Sequence, residues 1–319
     1  MSHRPTLLLN GKPPQAALEA RLAEAYELHR LHEQRDPAAF LATHGAEIDG
    51  IVAPAPMGAS AELIGALPNL RVIAGFGVGF DRVDQTTATR RGVKVSNTPD
   101  VLNDCVADLA FALLLDVARG VAASDRFVRR GDWLKGRFPL TTRASGKKLG
   151  ILGLGRIGRA MAQRAVGFDM EVAYCNRNLI DDVHYAWHRR PVDLARWCDF
   201  LVVTAAGGAS TNHLVNREVL DALGPQGILV NVARGSVVDE AALVAALRDK
   251  RIAGAGLDVF EHEPRVPAEL LALDNVVLTP HVASGTEETR AAMADLVIEN
   301  LHSFFASGRL TTPVPWSPA

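Results

Sequence analysis

The stretch Gly153-Leu-Gly155-Arg-Ile-Gly158 follows directly on the apolar run Leu149-Gly-Ile-Leu152 and opens a helical pattern. Glycines at this spacing serve three ends. Gly153 allows a tight turn, Gly155 lets the backbone approach a pyrophosphate, and Gly158 lets the helix pack close to the strand. The helix N-terminus beyond it offers unpaired N–H groups and the positive end of its dipole. The strand–turn–helix setting makes this a dinucleotide-binding fingerprint. Leu154, Arg156 and Ile157 complete the turn. Arg156 is placed to face a phosphate, the plain alternative being a solvated arginine. S-adenosylmethionine enzymes also use glycine-rich turns, and they remain a minor alternative.

The second strand of such a unit ends near the adenosine ribose, where an acidic side chain selects NAD. Here Glu171-Val-Ala-Tyr-Cys175 ends in Asn176-Arg177-Asn178, with no carboxylate at the tip. A guanidinium suits a 2′-phosphate, so NADPH is expected, with NADH weaker. The competing reading leaves Arg177 as an exposed turn residue and gives the acidic job to Asp181 or Asp182.

Three later segments carry further chemistry. Ile228-Leu-Val-Asn-Val-Ala-Arg234 is a strand running into a turn, Gly256-Leu-Asp258 leaves another with Glu261 and Glu263 behind it, and Val276-Val-Leu-Thr-Pro-His281 leaves a third. An arginine, a carboxylate and an imidazole thus stand just past strand ends, where open α/β sheets bind ligands. Reduction of a keto acid needs these types. Arginine holds the substrate carboxylate, histidine gives a proton to the developing alkoxide, and the carboxylate orients the histidine and favours its charged form. Taken singly, each is an ordinary loop residue; their joint placement after the fingerprint argues for function. His262 competes with His281 but has no strand end of its own.

These residues need a scaffold, and strands and helices alternate almost throughout. Strands are expected at 6–9, 27–31, 50–53, 71–76 and 93–96, then at 149–152, 171–175, 200–204, 228–232, 256–259 and 276–278. Helices are expected at 15–25, 37–44, 61–67, 103–118, 121–129, 157–166, 191–197, 217–223, 240–249 and 287–305. In the helix over 103–118, Val106, Leu109, Ala110, Leu113 and Leu114 form the apolar side. Such alternation predicts an α/β protein with parallel sheets. The fingerprint opens the second α/β set, so residues 1–98 form one domain and 99–285 the nucleotide domain. The last helix has no following strand and is expected to return to the first domain, giving it residues 286–319 as well. An active-site cleft between two domains is the expected arrangement.

Composition bounds the partners. The 319 residues carry a net charge of −2, which argues against general nucleic-acid or anionic-membrane binding. Cys105, Cys175 and Cys198 are widely spaced, disfavouring a disulfide framework or a cysteine zinc site. No metal is expected in the reaction. The N-terminal Leu7-Leu-Leu9 run is too short for a signal peptide, and no stretch has transmembrane length, so a cytoplasmic location is expected.

At these motifs the chain resembles the D-isomer-specific 2-hydroxyacid dehydrogenase family. The resemblance rests on Gly153–Gly158, Val230–Glu240, Gly256–Pro264 and Pro280–Gly285, in that order, and extends over nearly the whole chain. Within the family it is most similar to glyoxylate/hydroxypyruvate and hydroxyphenylpyruvate reductases. It implies a flavodoxin-like substrate domain beside an NAD(P)-binding Rossmann domain. It also implies Arg234, Glu263 and His281 as catalytic residues, Asp258 against the nicotinamide amide, and Val232 as a main-chain cofactor contact. The loop Gly75-Phe-Gly-Val78-Gly79-Phe-Asp81 matches the one whose backbone, at Val78 and Gly79, holds the substrate carboxylate. A homodimer formed through the nucleotide domain is implied too, with the long helix after Pro99 at its interface. One departure stands out: Thr204-Ala-Ala-Gly-Gly-Ala-Ser210 lacks the proline usual in that loop, which leaves its cofactor contacts open. Glu263 argues against the family's formate dehydrogenases, which pair a glutamine with the histidine. The alternatives left open are a hydroxyphenylpyruvate or 2-ketogluconate reductase and, further off, a dinucleotide-sensing corepressor.

Overall fold

The computed structural model describes residues 4–13 and 15–317. It divides into two compact units, residues 1–102 with 284–319, and residues 103–283.

The first unit runs β1 (Thr6–Leu9), α1 (Ala16–Ala25), β2 (Glu27–Arg30), α2 (Pro37–His44), β3 (Gly50–Pro54), α3 (Ala61–Gly65), β4 (Val72–Phe76), α4 (Gln85–Arg90) and β5 (Lys94–Ser96). Its five strands are all parallel, in the order β2-β1-β3-β4-β5. That is the flavodoxin-like order. All four residues of β1 are buried, because helices cover both faces of the sheet. This explains why the strand reads as an unbroken apolar run rather than an alternation. Helix starts are written locally: Asp36, Ser60 and Asp84 each accept a hydrogen bond from the backbone N–H three residues on.

The second unit runs α5 (Asn103–Arg119), α6 (Val121–Arg129), β6 (Lys148–Leu152), α7 (Arg156–Val166), β7 (Glu171–Cys175), β8 (Ala186–Trp187), α8 (Pro191–Trp197) and β9 (Phe200–Val203), then α9 (Arg217–Leu223), β10 (Ile228–Asn231), α10 (Glu240–Arg248), β11 (Gly254–Leu257), α11 (Ala268–Leu271) and β12 (Val276–Leu278). Its seven strands are parallel, in the order β12-β11-β10-β9-β6-β7-β8. The order reverses between β6 and β9, the switch point of a dinucleotide-binding sheet.

The final helix, α12 (Glu287–Ser307), belongs to the first unit and packs on β4. Its buried Asn300 accepts from Thr312 N at 2.9 Å and donates to Thr312 Oγ1 at 2.8 Å. Thr312 Oγ1 in turn donates to Asn97 O at 2.6 Å, tying the C-terminal segment to the end of β5.

Several local expectations shift. The strand expected at 256–259 is β11, two residues earlier, because Gly254 and Gly256 hide its start. A Cβ at Gly254 would stand 2.7 Å from Val117 Cγ1, and one at Gly256 2.9 Å from Leu113 Cβ. Close packing against α5, not apolar character, selects these residues. The strand β8 and the helices α4 and α11 lack strong apolar periodicity and escape the sequence reading. Leu109, expected on the apolar side of α5, is only half-buried; Ala107, Phe111 and Ala118 are buried instead.

Candidate active site

Three adjacent parallel strands, β10, β11 and β12, end at the same edge of the second unit's sheet. The segments that follow them carry Arg234, Glu263 and His281. Each is fixed by hydrogen bonds rather than left to loop motion.

After β10, the 1 % exposed Asn231 holds the turn. Its Oδ1 accepts from Ala233 N at 3.0 Å and its Nδ2 donates to Arg234 O at 2.9 Å. Arg234 Nη1 donates to Ala233 O at 2.7 Å.

After β11, Asp258 is fully buried. Its carboxylate accepts from Thr279 Oγ1 at 2.7 Å, Val282 N at 2.8 Å and Ala283 N at 2.9 Å, while its carbonyl accepts from His281 N at 2.8 Å. Burial pushes this carboxyl above its usual range; those hydrogen bonds and the His281 charge offset part of the effect. Asp258 therefore grips the chain on both sides of His281. It needs to, because His281 takes φ +53°, a left-handed conformation that only a few per cent of non-glycine residues adopt.

His281 Nδ1 lies 2.8 Å from Glu263 Oε2, with the two side chains 31 % and 28 % exposed. The other Glu263 oxygen accepts from Phe260 N at 3.1 Å. Burial acts upward on this carboxyl. The hydrogen bond and charge of His281, the Phe260 N–H and the Arg234 charge outweigh it and hold the group below the usual carboxylate range. So Arg234, Glu263 and His281 form one electrostatic cluster. His262, the rejected competitor, is exposed on the surface.

The fingerprint residues lie at the switch point of the same sheet. Gly153 takes φ +104°, and a Cβ there would stand 2.5 Å from Ala205 N. No side chain fits. Gly155 is the N-cap of α7, with nothing within 4 Å of its Cβ position. That leaves open space beside the first turn of α7. Leu154 and Val232 are buried, at 1 % and 7 % exposure. Asn176 does something the sequence does not announce: its Oδ1 accepts from Leu154 N at 2.6 Å, bracing the glycine turn from the tip of β7. Trp187 of β8 donates to Asn176 O at 3.2 Å and steadies that tip. Arg177 and Asn178 are exposed beside it, and Arg177 Nη2 donates to Ser210 Oγ at 3.2 Å. Asp182, the alternative acid, is paired with Arg159 at 2.6 Å. In the first unit, the turn carrying Val78 and Gly79 follows β4 and is held by Asn97, whose Nδ2 donates to Val78 O at 2.8 Å.

Residues 111–283 match the D-isomer specific 2-hydroxyacid dehydrogenase, NAD binding domain. The chain belongs to the D-isomer specific 2-hydroxyacid dehydrogenase family. Among members, it is 49 % identical over 302 residues to the hydroxyphenylpyruvate reductase of Plectranthus scutellarioides, covering 95 % of this chain and 96 % of that one. A glyoxylate/hydroxypyruvate reductase of Arabidopsis thaliana is 47 % identical over the same shares of the two chains. The NADPH-dependent glyoxylate/hydroxypyruvate reductase of Sinorhizobium meliloti, solved with NADP and malonate, superposes with a TM-score of 0.93 at 44 % identity, covering 99 % of this chain and 98 % of that one. The family's nucleotide-binding segment thus contains the second unit's sheet, with Arg234, Glu263 and His281 beyond its strand ends.

The signals that sequence reasoning passed over were present. An asparagine ending an apolar strand before a turn, as at Asn231, is the usual site of a side-chain-to-backbone bracket. An aspartate directly after a buried strand, as at Asp258, must find hydrogen-bond donors nearby.

Proposed function

We propose that the protein reduces small 2-keto acids, glyoxylate and hydroxypyruvate foremost, to D-2-hydroxy acids with NADPH. The observation that carries this is the 2.8 Å His281–Glu263 pair, sharing its field with Arg234 at the edge of a dinucleotide-binding sheet. Glu263 fixes His281 through Nδ1, leaving Nε2 to give its proton to the oxygen of the carbonyl being reduced. Arg234 binds the substrate carboxylate and polarises the carbonyl. The N–H groups of Val78 and Gly79 are further partners for that carboxylate, on the strength of the family pattern. NADPH, when bound, supplies the hydride to the carbonyl carbon.

The cofactor cradle is Gly153, Leu154, Gly155, Arg156, Ile157 and Gly158 at the phosphates, with Val232 and Asp258 nearer the nicotinamide. Arg177 serves the 2′-phosphate, with Asn178 beside it and Asn176 holding the turn in shape. NADH is the weaker substrate. A homodimer is proposed because the segment around α6 leaves Trp133, Leu134 and Leu140 at 69 %, 94 % and 102 % exposure. A cytoplasmic location fits three free cysteines, two of them buried.

Purified protein should consume NADPH when given glyoxylate or hydroxypyruvate. His281→Ala should lower turnover by at least about 100-fold, as loss of a general acid does. Near-normal turnover in that variant would remove His281 from its role, and no turnover with any 2-keto acid would sink the reading. Hydroxyphenylpyruvate belongs in the same panel, given the 49 % identical relative.

A further inference from the structure

Among the described residues, His29, His44 and Glu47 bring three ligand-type atoms within 4.8 Å of one another. The group lies in the first unit and plays no part in the reduction proposed above. His29 is on β2, the edge strand of its sheet; His44 ends α2; Glu47 lies in the turn beyond it. Glu47 Oε2 is 3.5 Å from His29 Nε2 and 3.2 Å from His44 Nδ1. Phe40 packs on both imidazoles, its ring centroid 5.3 Å from that of His29 and 4.8 Å from that of His44. The two imidazoles are 5.5 Å apart, centroid to centroid.

We propose that these three residues bind a zinc-like divalent cation through His29 Nε2, His44 Nδ1 and Glu47 Oε2, with water as fourth ligand. Two imidazoles and one carboxylate select a borderline cation over magnesium or calcium, which prefer all-oxygen sites. With bonds of about 2.0–2.1 Å in a tetrahedron, neighbouring ligand atoms stand about 3.3–3.4 Å apart. The observed 3.2 and 3.5 Å edges bracket that spacing. The remaining edge, between the two imidazole nitrogens, is bounded by 4.8 Å, so it must shorten by at most about 1.4 Å on binding. Phe40 restricts the rings, so part of the ordering is done before the ion arrives. The side chains of His29, His44 and Glu47 are 27 %, 39 % and 55 % exposed, which leaves an entry path and room for the water.

The ion would act as a clamp. Helix α2 has no fully buried residue and rests on the core through the partly buried Phe40 and Leu41. Joining His44 and Glu47 to His29 fastens the end of α2 to the edge strand. Any such ligand stabilises the state that binds it.

The test is zinc alone, titrated into the full chain without a polyhistidine tag, followed by calorimetry and by hydrogen exchange over residues 37–47. Expected are saturable binding and slowed exchange in that segment. His29→Gln and His44→Gln should each weaken zinc binding by more than the about tenfold that loss of even an indirect ligand partner costs. Turnover without zinc should stay unchanged in both variants. Absence of saturable binding overturns the proposal. So does wild-type affinity in both variants, or a zinc response lost in His281→Ala and kept in His29→Gln, since either places the ion elsewhere.

Discussion

Gly235 stands directly after Arg234, and the chain beyond β11 passes against it. A Cβ at Gly235 would lie 1.9 Å from the carbonyl carbon of Phe260, 2.1 Å from its oxygen and 2.3 Å from Glu261 N. All three are backbone atoms, so no side-chain rotation relieves the clash. Ordinary contact begins at 3.4 Å, and the two segments would have to part by about 1.5 Å. One segment carries Arg234; the other leads within three residues to Glu263, whose Oε1 is held by Phe260 N. Gly235→Ala therefore moves the arginine and the glutamate–histidine pair apart without touching any of their side chains. Overpacking of this kind costs about 1–3 kcal/mol of stability. Misplacing catalytic groups by about 1 Å costs about 100-fold in rate. The assay is turnover of NADPH with glyoxylate at saturating substrate, beside a thermal melt. Expected is a folded variant with a lowered melting temperature and turnover reduced by about two orders of magnitude. Wild-type turnover with a wild-type melt would refute the reasoning, because it would show that the two segments part freely.

The other predictions follow from single side chains. Arg177→Ala should raise KM for NADPH about ten- to a hundredfold, the worth of a charged hydrogen bond, and leave KM for NADH nearly unchanged; equal effects on both cofactors would separate Arg177 from the 2′-phosphate. Glu263 has its carboxyl lowered in the folded state, so its contribution to stability is present above the ordinary carboxylate pKa and is lost as pH falls through the lowered one. Wild type should thus melt above Glu263→Gln at neutral pH, with the gap closing in acid, and a gap that widens in acid would contradict the assignment. Burial pushes the thiols of Cys175 and Cys198 up to about 11 and about 12, so iodoacetamide should leave both unmodified in the native protein and label them after unfolding, as peptide mass mapping will show.

Much of the second unit is legible because its chemistry is local. The fingerprint is one continuous stretch, and Arg234 and His281 each stand within three residues of a strand end. Period and turn residues suffice to find such positions. Pairing is different. Nothing in the spacing of Glu263 and His281 states that their side chains lie 2.8 Å apart; that follows from β11 and β12 being neighbours in the sheet. β8 is illegible for another reason. At two residues it carries no period, and its place on the sheet comes from Ala173 and Tyr174 of β7. β11 reads two residues late because its glycines are chosen by the helix they touch.

Asp258 shows how a site draws on the fold beneath it. A carboxyl raised by burial weakens the folded state as pH climbs through the carboxylate range, so at neutral pH Asp258 is a cost to stability. Hydrophobic replacement would remove that cost, yet it would also orphan the N–H groups of Val282 and Ala283. Those N–H groups flank a histidine whose backbone sits at φ +53°. A left-handed residue costs about 1–2 kcal/mol and persists only when its neighbours dictate it. The buried charge, the strained histidine and the lowered glutamate are therefore one arrangement. Asp258 fixes the backbone of His281, the fixed backbone aims the imidazole at Glu263, and Glu263 with Arg234 nearby sets the charge against which a proton is released.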